Sequence, residues 1–259
     1  MRSTSLTLSA RVCFSLLAAA SFIPGALADG ENYSLWPRRP EALEEARRLL
    51  DRGTLLQALE LLQPLAGQGG VVGREAKELI GVLRIRQLLD PNGPGVKKYT
   101  VRRGDSWIRM VNRLGCSQAM LMHLNGLMDI PVLHAGDVFK YRLLDFRLVV
   151  NVPDKEVCLY DGENFVKAYP ILAMKDEGKK NVETKVKDEQ APVSIYDKHY
   201  PSSNKTIVLA AGGYVIDADS GTPRYPGYYL NRQDCNELAM LTRVGSKVSI
   251  VREKGTAQP

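Results

Sequence analysis

Cysteine and histidine are scarce in this chain, with 4 Cys and 3 His among 259 residues. No two cysteines have the short spacing of a metal knuckle or a redox motif, and the count is too low for a disulfide scaffold. Aromatic residues are only 7%, and no segment beyond residue 30 approaches the roughly 18 consecutive apolar residues of a membrane span. The 22 glycines and 14 prolines follow no fixed period, which excludes a fibrous chain, and 44% apolar content excludes disorder. Charge of neither sign dominates: 35 Lys and Arg face 29 Asp and Glu. What is left is a globular chain, long enough for one large domain or two to three small ones.

The first 28 residues read as a signal peptide. Arg2 and Arg11 flank a polar start, an apolar run follows from Val12 to Ile23, and Ala26-Leu27-Ala28 supplies small residues ahead of Asp29. Export to a periplasm or cell wall is therefore expected, with no integral membrane span once the signal is removed. Removing Cys13 leaves Cys116, Cys158 and Cys235, so at least one thiol is free or bonded between molecules. Burial as small apolar residues is the reading for Cys116 and Cys158.

Residues 40–90 have helical periodicity, with faces at Ala42, Leu43, Ala46, Leu49, Leu50, then Leu55 to Leu65, then Ala76 to Leu88. The units around Leu49–Gly53 and Ala58–Leu62 resemble a degenerate tetratricopeptide repeat, and a generic helical hairpin fits equally well. One and a half repeats do not make a self-standing array. A spacer or a dock for a protein partner is expected here.

The breaker cluster Pro91-Asn92-Gly93-Pro94-Gly95 sets the first boundary. Beyond it, residues 97–142 predict strand, helix, helix, strand, with Trp107 on the apolar side of the first helix. Seven Lys and Arg against three Asp in 97–141 make this module basic. Export and the lack of aromatic platforms argue against nucleic acid as its partner. Tyr99-x-Val101-x-x-Gly104-Asp105-Ser106-Trp107, Asn125 and Leu133-x-x-Gly136-Asp137-x-Phe139 resemble a lysin motif (LysM), a βααβ family that binds N-acetylglucosamine-containing glycans. The resemblance implies a shallow sugar groove between two loops. Its contacts would be Gly104, Asp105, Ser106 and Asn125 with Ile130, Pro131 and Val132.

Residues 145–252 predict a mostly β domain. Strands are expected at Arg147–Val152, Val157–Tyr160, Phe165–Ala173, Val193–Tyr196, Thr206–Leu209, Gly213–Ile216 and Lys247–Val251, with a helix at Arg232–Leu241. The charged stretch Asp176–Gln190 is expected to be a solvated loop. The Leu159-Tyr160-Asp161-Gly162 and Tyr169-Pro170-Ile171 patterns, and Val244-Gly245-x-x-Val248-x-Ile250 at the end, resemble an L,D-transpeptidase catalytic domain. The fold class is thus α+β multidomain: helical hairpin, βααβ LysM module and mostly-β transpeptidase-like domain.

That family's reaction needs a nucleophilic Cys beside a His, because a thiol with pKa near 8.5 requires a neighbouring base. Here the family's Ile-His-Gly position holds Ile216-Asp217-Ala218, and its Ser-His-Gly-Cys-Ile-Arg run falls on Arg224–Leu230, without Cys or His. The resemblance implies a pseudoenzyme whose peptide groove is lined by Asp217, Tyr225, Tyr228 and Tyr229. Expected partners are peptidoglycan glycan strands and stem peptides, with no cofactor, no metal and no assigned catalytic residue. The alternatives are an active transpeptidase or carboxypeptidase using Cys235 with His199 as base, and an envelope interaction scaffold.

Overall fold

The computed structural model describes residues 40–200, 203–218 and 224–253. The expected signal segment lies outside the described residues. The described residues form one compact unit of mixed helices and a curled sheet. Among the described residues, no helix is long and apolar enough to cross a membrane.

Three helices come first: α1 (Glu41–Asp51), α2 (Leu55–Ala66) and α3 (Gly70–Leu89). Glu41 and Glu44 in the first turn of α1, and Arg48 in its last, match the helix dipole. Gly53, at φ +77°, ends the turn between α1 and α2 in a conformation that costs glycine little. Leu43, Ala46, Leu59, Leu62, Ala76 and Ile80 pack between the helices, and their core continues into Cys158 and Phe165 of the sheet. The helical segment is therefore no spacer. Lys77 Nζ donates to Glu156 Oε1 at 2.6 Å, and a Cβ on Gly81 would sit 3.0 Å from the Lys167 side chain. One helical face is consumed by the sheet, which leaves less of it for a partner.

After the linker, β1 (Lys97–Thr100), α4 (Trp107–Leu114), α5 (Gln118–Leu124) and β2 (Val138–Tyr141) follow in the expected strand–helix–helix–strand order. The strands pair antiparallel, Lys97 opposite Tyr141 and Thr100 opposite Val138. Gly115, left-handed at φ +59°, caps α4, and Ser117 caps α5 by accepting from Met120 N. Trp107 is core, edge-on to Phe139 at 5.8 Å.

Nine strands make the main sheet, ordered β5-β4-β3-β11-β7-β8-β9-β10-β6. They are β3 (Phe146–Asn151), β4 (Glu156–Asp161), β5 (Asn164–Pro170), β6 (Ala173–Lys175), β7 (Val182–Gln190), β8 (Thr206–Leu209), β9 (Tyr214–Asp217), β10 (Gly227–Leu230) and β11 (Lys247–Val251). The helix α6 (Arg232–Leu241) packs on β8 and β9. Strands β3 and β11 run parallel, as do β9 and β10; the other neighbours are antiparallel.

Three sequence expectations change. The supposed solvated loop contains β7, a central strand: Val182, Thr184 and Val186 alternate inward while Glu183, Lys185 and Lys187 occupy a solvated face. Glu183 is satisfied across the ladder by Ser249 Oγ at 2.8 Å. Val193–Tyr196 is irregular and turn-like rather than a strand. Phe165–Ala173 is two strands, because Leu172 N leaves the β5 direction to donate to Tyr229 O and start the short edge strand β6.

Candidate functional site

The loop residues expected to grip a sugar divide into engaged and open ones. Gly104, at φ +85°, turns the chain out of β1, and Arg102 N donates to Asp105 Oδ2. Asp105 also accepts from Tyr99 OH at 2.7 Å and from Arg113 Nη1 at 2.9 Å, and the Tyr99 bond leads in holding its carboxyl below the usual range. Ser106 Oγ accepts from Arg109 Nε at 3.0 Å. Asn125 uses both amide hydrogens: Nδ2 donates to Leu121 O and Lys140 O at 2.7 Å each, and Oδ1 accepts from Lys140 N at 2.8 Å. The side-chain amide bolts α5 to β2 and has no donor left for an acetamido group. The structure thus shows Asn125 holding two elements together, with one Oδ1 lone pair left for any further donor. On the second loop Ile130 and Pro131 are half-buried, and Val132 is 79% exposed.

Of the residues expected to line one groove, Tyr228 and Tyr229 fall on opposite faces of β10, as adjacent strand positions must, while Tyr225 precedes the strand and Asp217 ends β9. Tyr229 is buried; its hydroxyl donates to Tyr225 O at 2.9 Å and accepts from Tyr225 N at 3.0 Å, strapping the preceding loop to the strand. Tyr225 is exposed, edge-on to Tyr214 at 6.0 Å. Tyr228 instead donates to Asp176 Oδ2 at 2.9 Å. Arg252 grips the same carboxylate with both nitrogens, Nε at 2.7 Å and Nη2 at 2.9 Å. Burial pushes Asp176 up, but these bonds outweigh it and hold the carboxyl below its ordinary range. Nothing in the sequence pattern points to this trio, since Asp176 and Arg252 are far apart in the chain and neither sits in a motif.

Beside Tyr228 a concavity of about 300 Å³ opens between Lys175, Glu177, Gly212, Gly213 and Pro226. Its wall needs glycine: at φ +154°, a Cβ on Gly227 would collide with the Tyr214 carbonyl. Asp217 closes the far end of β9. It accepts from Asn204 Nδ2 at 2.8 Å and from Arg232 Nε at 3.2 Å.

Cys235 and His199 sit in different environments. Cys235 has no exposed surface; its Sγ donates to Lys205 O at 3.0 Å. Burial, with Asp217 and Asp234 adding repulsion, pushes the thiol up to about 12. His199 is on an exposed turn whose backbone N–H donates to Asp197 Oδ1. A buried, protonated thiol is a poor nucleophile, and the dipole of α6 does not offset its desolvation. Cys116 and Cys158 are buried too, and burial raises both, Cys116 to about 11. Among the described residues, no group of three His, Cys, Asp or Glu side chains could hold a metal ion.

No family model matches the chain, and no curated protein matches it. Solved structures do. The structural neighbours are L,D-transpeptidases. An L,D-transpeptidase from Mycobacterium smegmatis covers 61% of this chain and 92% of its own at 9% identity, with a TM-score of 0.33. L,D-transpeptidase 1 of Mycobacterium tuberculosis covers 45% and 67% at 8% identity, with a TM-score of 0.32. A mutant L,D-transpeptidase of Enterococcus faecium covers 75% and 89% at 12% identity, again with a TM-score of 0.32. Likeness at this level carries no argument by itself.

Proposed function

We propose that this is an exported peptidoglycan-binding protein. Its β1–α4–α5–β2 module acts as a lysin motif, and its sheet keeps an L,D-transpeptidase-like form without acyl transfer. The observation that carries the reading is the fate of the nucleophile run. By the sequence resemblance that run falls on Arg224–Leu230, which holds neither Cys nor His, and there the Tyr228 and Tyr229 hydroxyls are bound to Asp176 and to the Tyr225 backbone. The buried, raised thiols support it further.

Glycan would meet the module at the Gly104–Ser106 turn and at Ile130, Pro131 and Val132, with Asn125 shaping the groove from behind. Val132, exposed at 79%, is the apolar contact for an acetamido methyl. Co-sedimentation of the protein with purified peptidoglycan tests this reading. Binding competed by N-acetylglucosamine oligomers and weakened in Val132→Asp is expected. Binding insensitive to both would put the wall contact elsewhere and favour an interaction scaffold.

A further inference from the structure

Two arginines line one cavity, and among the described residues no carboxylate is within ion-pair distance of either. The cavity, of about 200 Å³, lies where α3, the 91–95 linker, the end of β2 and the β4–β5 hairpin meet. Its wall includes Arg84, Gln87, Pro94, Arg142, Asp161 and Asn164. Arg142 is 8% exposed, and the Nε atoms of both Arg84 and Arg142 are buried without a hydrogen-bond partner. Arg142 Nη2 makes only a long hydrogen bond, to Gln87 O at 3.4 Å. Among the described residues neither guanidinium is in an ion pair. The linker is shaped around Arg142, since a Cβ on Gly95, at φ +82°, would lie 2.8 Å from Nη1.

Desolvated cations are expensive unless an anion completes them. Burial pulls Arg142 below its ordinary value, and the more distant Asp161 and Asp90 only partly compensate. Guanidinium groups match the geometry of carboxylate and phosphate oxygens. A volume of about 200 Å³ holds roughly six or seven waters, enough for an oxyanion with a few attached atoms but not for a polymer. We propose that the Arg84–Arg142 cavity is a binding site for a small oxyanion, a carboxylate or a phosphate group. Asp161 at its wall opposes the ligand and keeps the affinity moderate. Because the cavity joins all three segments of the chain, an occupant would tie them together.

Thermal unfolding of the full chain, with sodium phosphate or sodium acetate replacing chloride at constant ionic strength, tests the site. A saturable rise in Tm is expected with at least one anion. A response to phosphate alone assigns a phosphate group, and a response to acetate alone assigns a carboxylate. Arg84 is only half-buried, so Arg84→Gln is the variant of choice, with circular dichroism to confirm folding. It should weaken the apparent affinity about tenfold or more, the value of one charge-assisted hydrogen bond. Asp161→Asn, at an exposed position, should strengthen it. No saturable shift beyond the chloride control, or a shift that both variants leave unchanged, overturns the proposal.

Discussion

Replacing Asn125 separates a structural from a sugar-binding role. Its side chain makes three hydrogen bonds, to Leu121 O, Lys140 O and Lys140 N, that hold α5 against β2. Each net bond is worth about 0.5–1.5 kcal/mol, and Asn125 is half-buried, so water can reach part of what is left unpaired. Asn125→Ala should therefore cost about 2 kcal/mol and lower Tm by roughly 4–8 °C for a unit of this size. Asn125→Asp should cost more at neutral pH, because a carboxylate would face two carbonyl oxygens, and acidification should return part of the loss. Urea unfolding measures the stability, and peptidoglycan co-sedimentation at a temperature where both proteins are folded measures binding. Stability should fall while binding of the folded variant stays near wild type. Unchanged stability with lost binding would refute the staple and restore Asn125 as a sugar contact.

Native thiols should resist labelling: at pH 8 a thiol with pKa about 12, as for Cys235, is ionised in roughly one molecule in 10,000, so fast reaction with Ellman's reagent before denaturation would contradict the buried placement. Stability should show a trough near pH 8. Burial raises Glu189 from 4.5 to about 8, so the folded state holds a proton the unfolded state has lost and stability falls as pH rises from about 4.5 to 8. Burial lowers Lys205 from 10.5 to about 8, so stability rises again from about 8 to 10.5, and Glu189→Gln should flatten the acid-side slope in a pH series of urea midpoints. Tyr229→Phe removes the hydroxyl that straps the loop at Tyr225 and should cost about 1–2 kcal/mol, read as a lower urea midpoint and faster proteolysis near Tyr225.

Local periodicity made part of the fold legible. The helix at Arg232–Leu241 and the strand at Lys247–Val251 have the bounds expected from their apolar spacing, and the βααβ order follows from Gly104, Gly115 and Gly136 punctuating short apolar faces. Strand β7 was not legible, because its outer face is charged and its partners β11 and β8 are distant in sequence. Val193–Tyr196 has strand-like composition but forms turns and irregular chain. At the candidate site, residue identity was readable and engagement was not. The sequence shows Asn125 and Asp105 as polar loop residues, but not their bonds to Lys140, Tyr99 and Arg113. The Asp176–Arg252–Tyr228 cluster and the Arg84–Arg142 cavity are made by tertiary packing alone, and no short motif encodes either.

Acyl transfer is tested most directly by mass spectrometry of the protein incubated with tetrapeptide muropeptides, beside an active Cys-containing L,D-transpeptidase. A wall-binding protein whose thiols are buried should leave the muropeptides unchanged and carry no adduct while the control turns over. Loss of terminal alanine, new cross-links or an acyl adduct on Cys235 would contradict it.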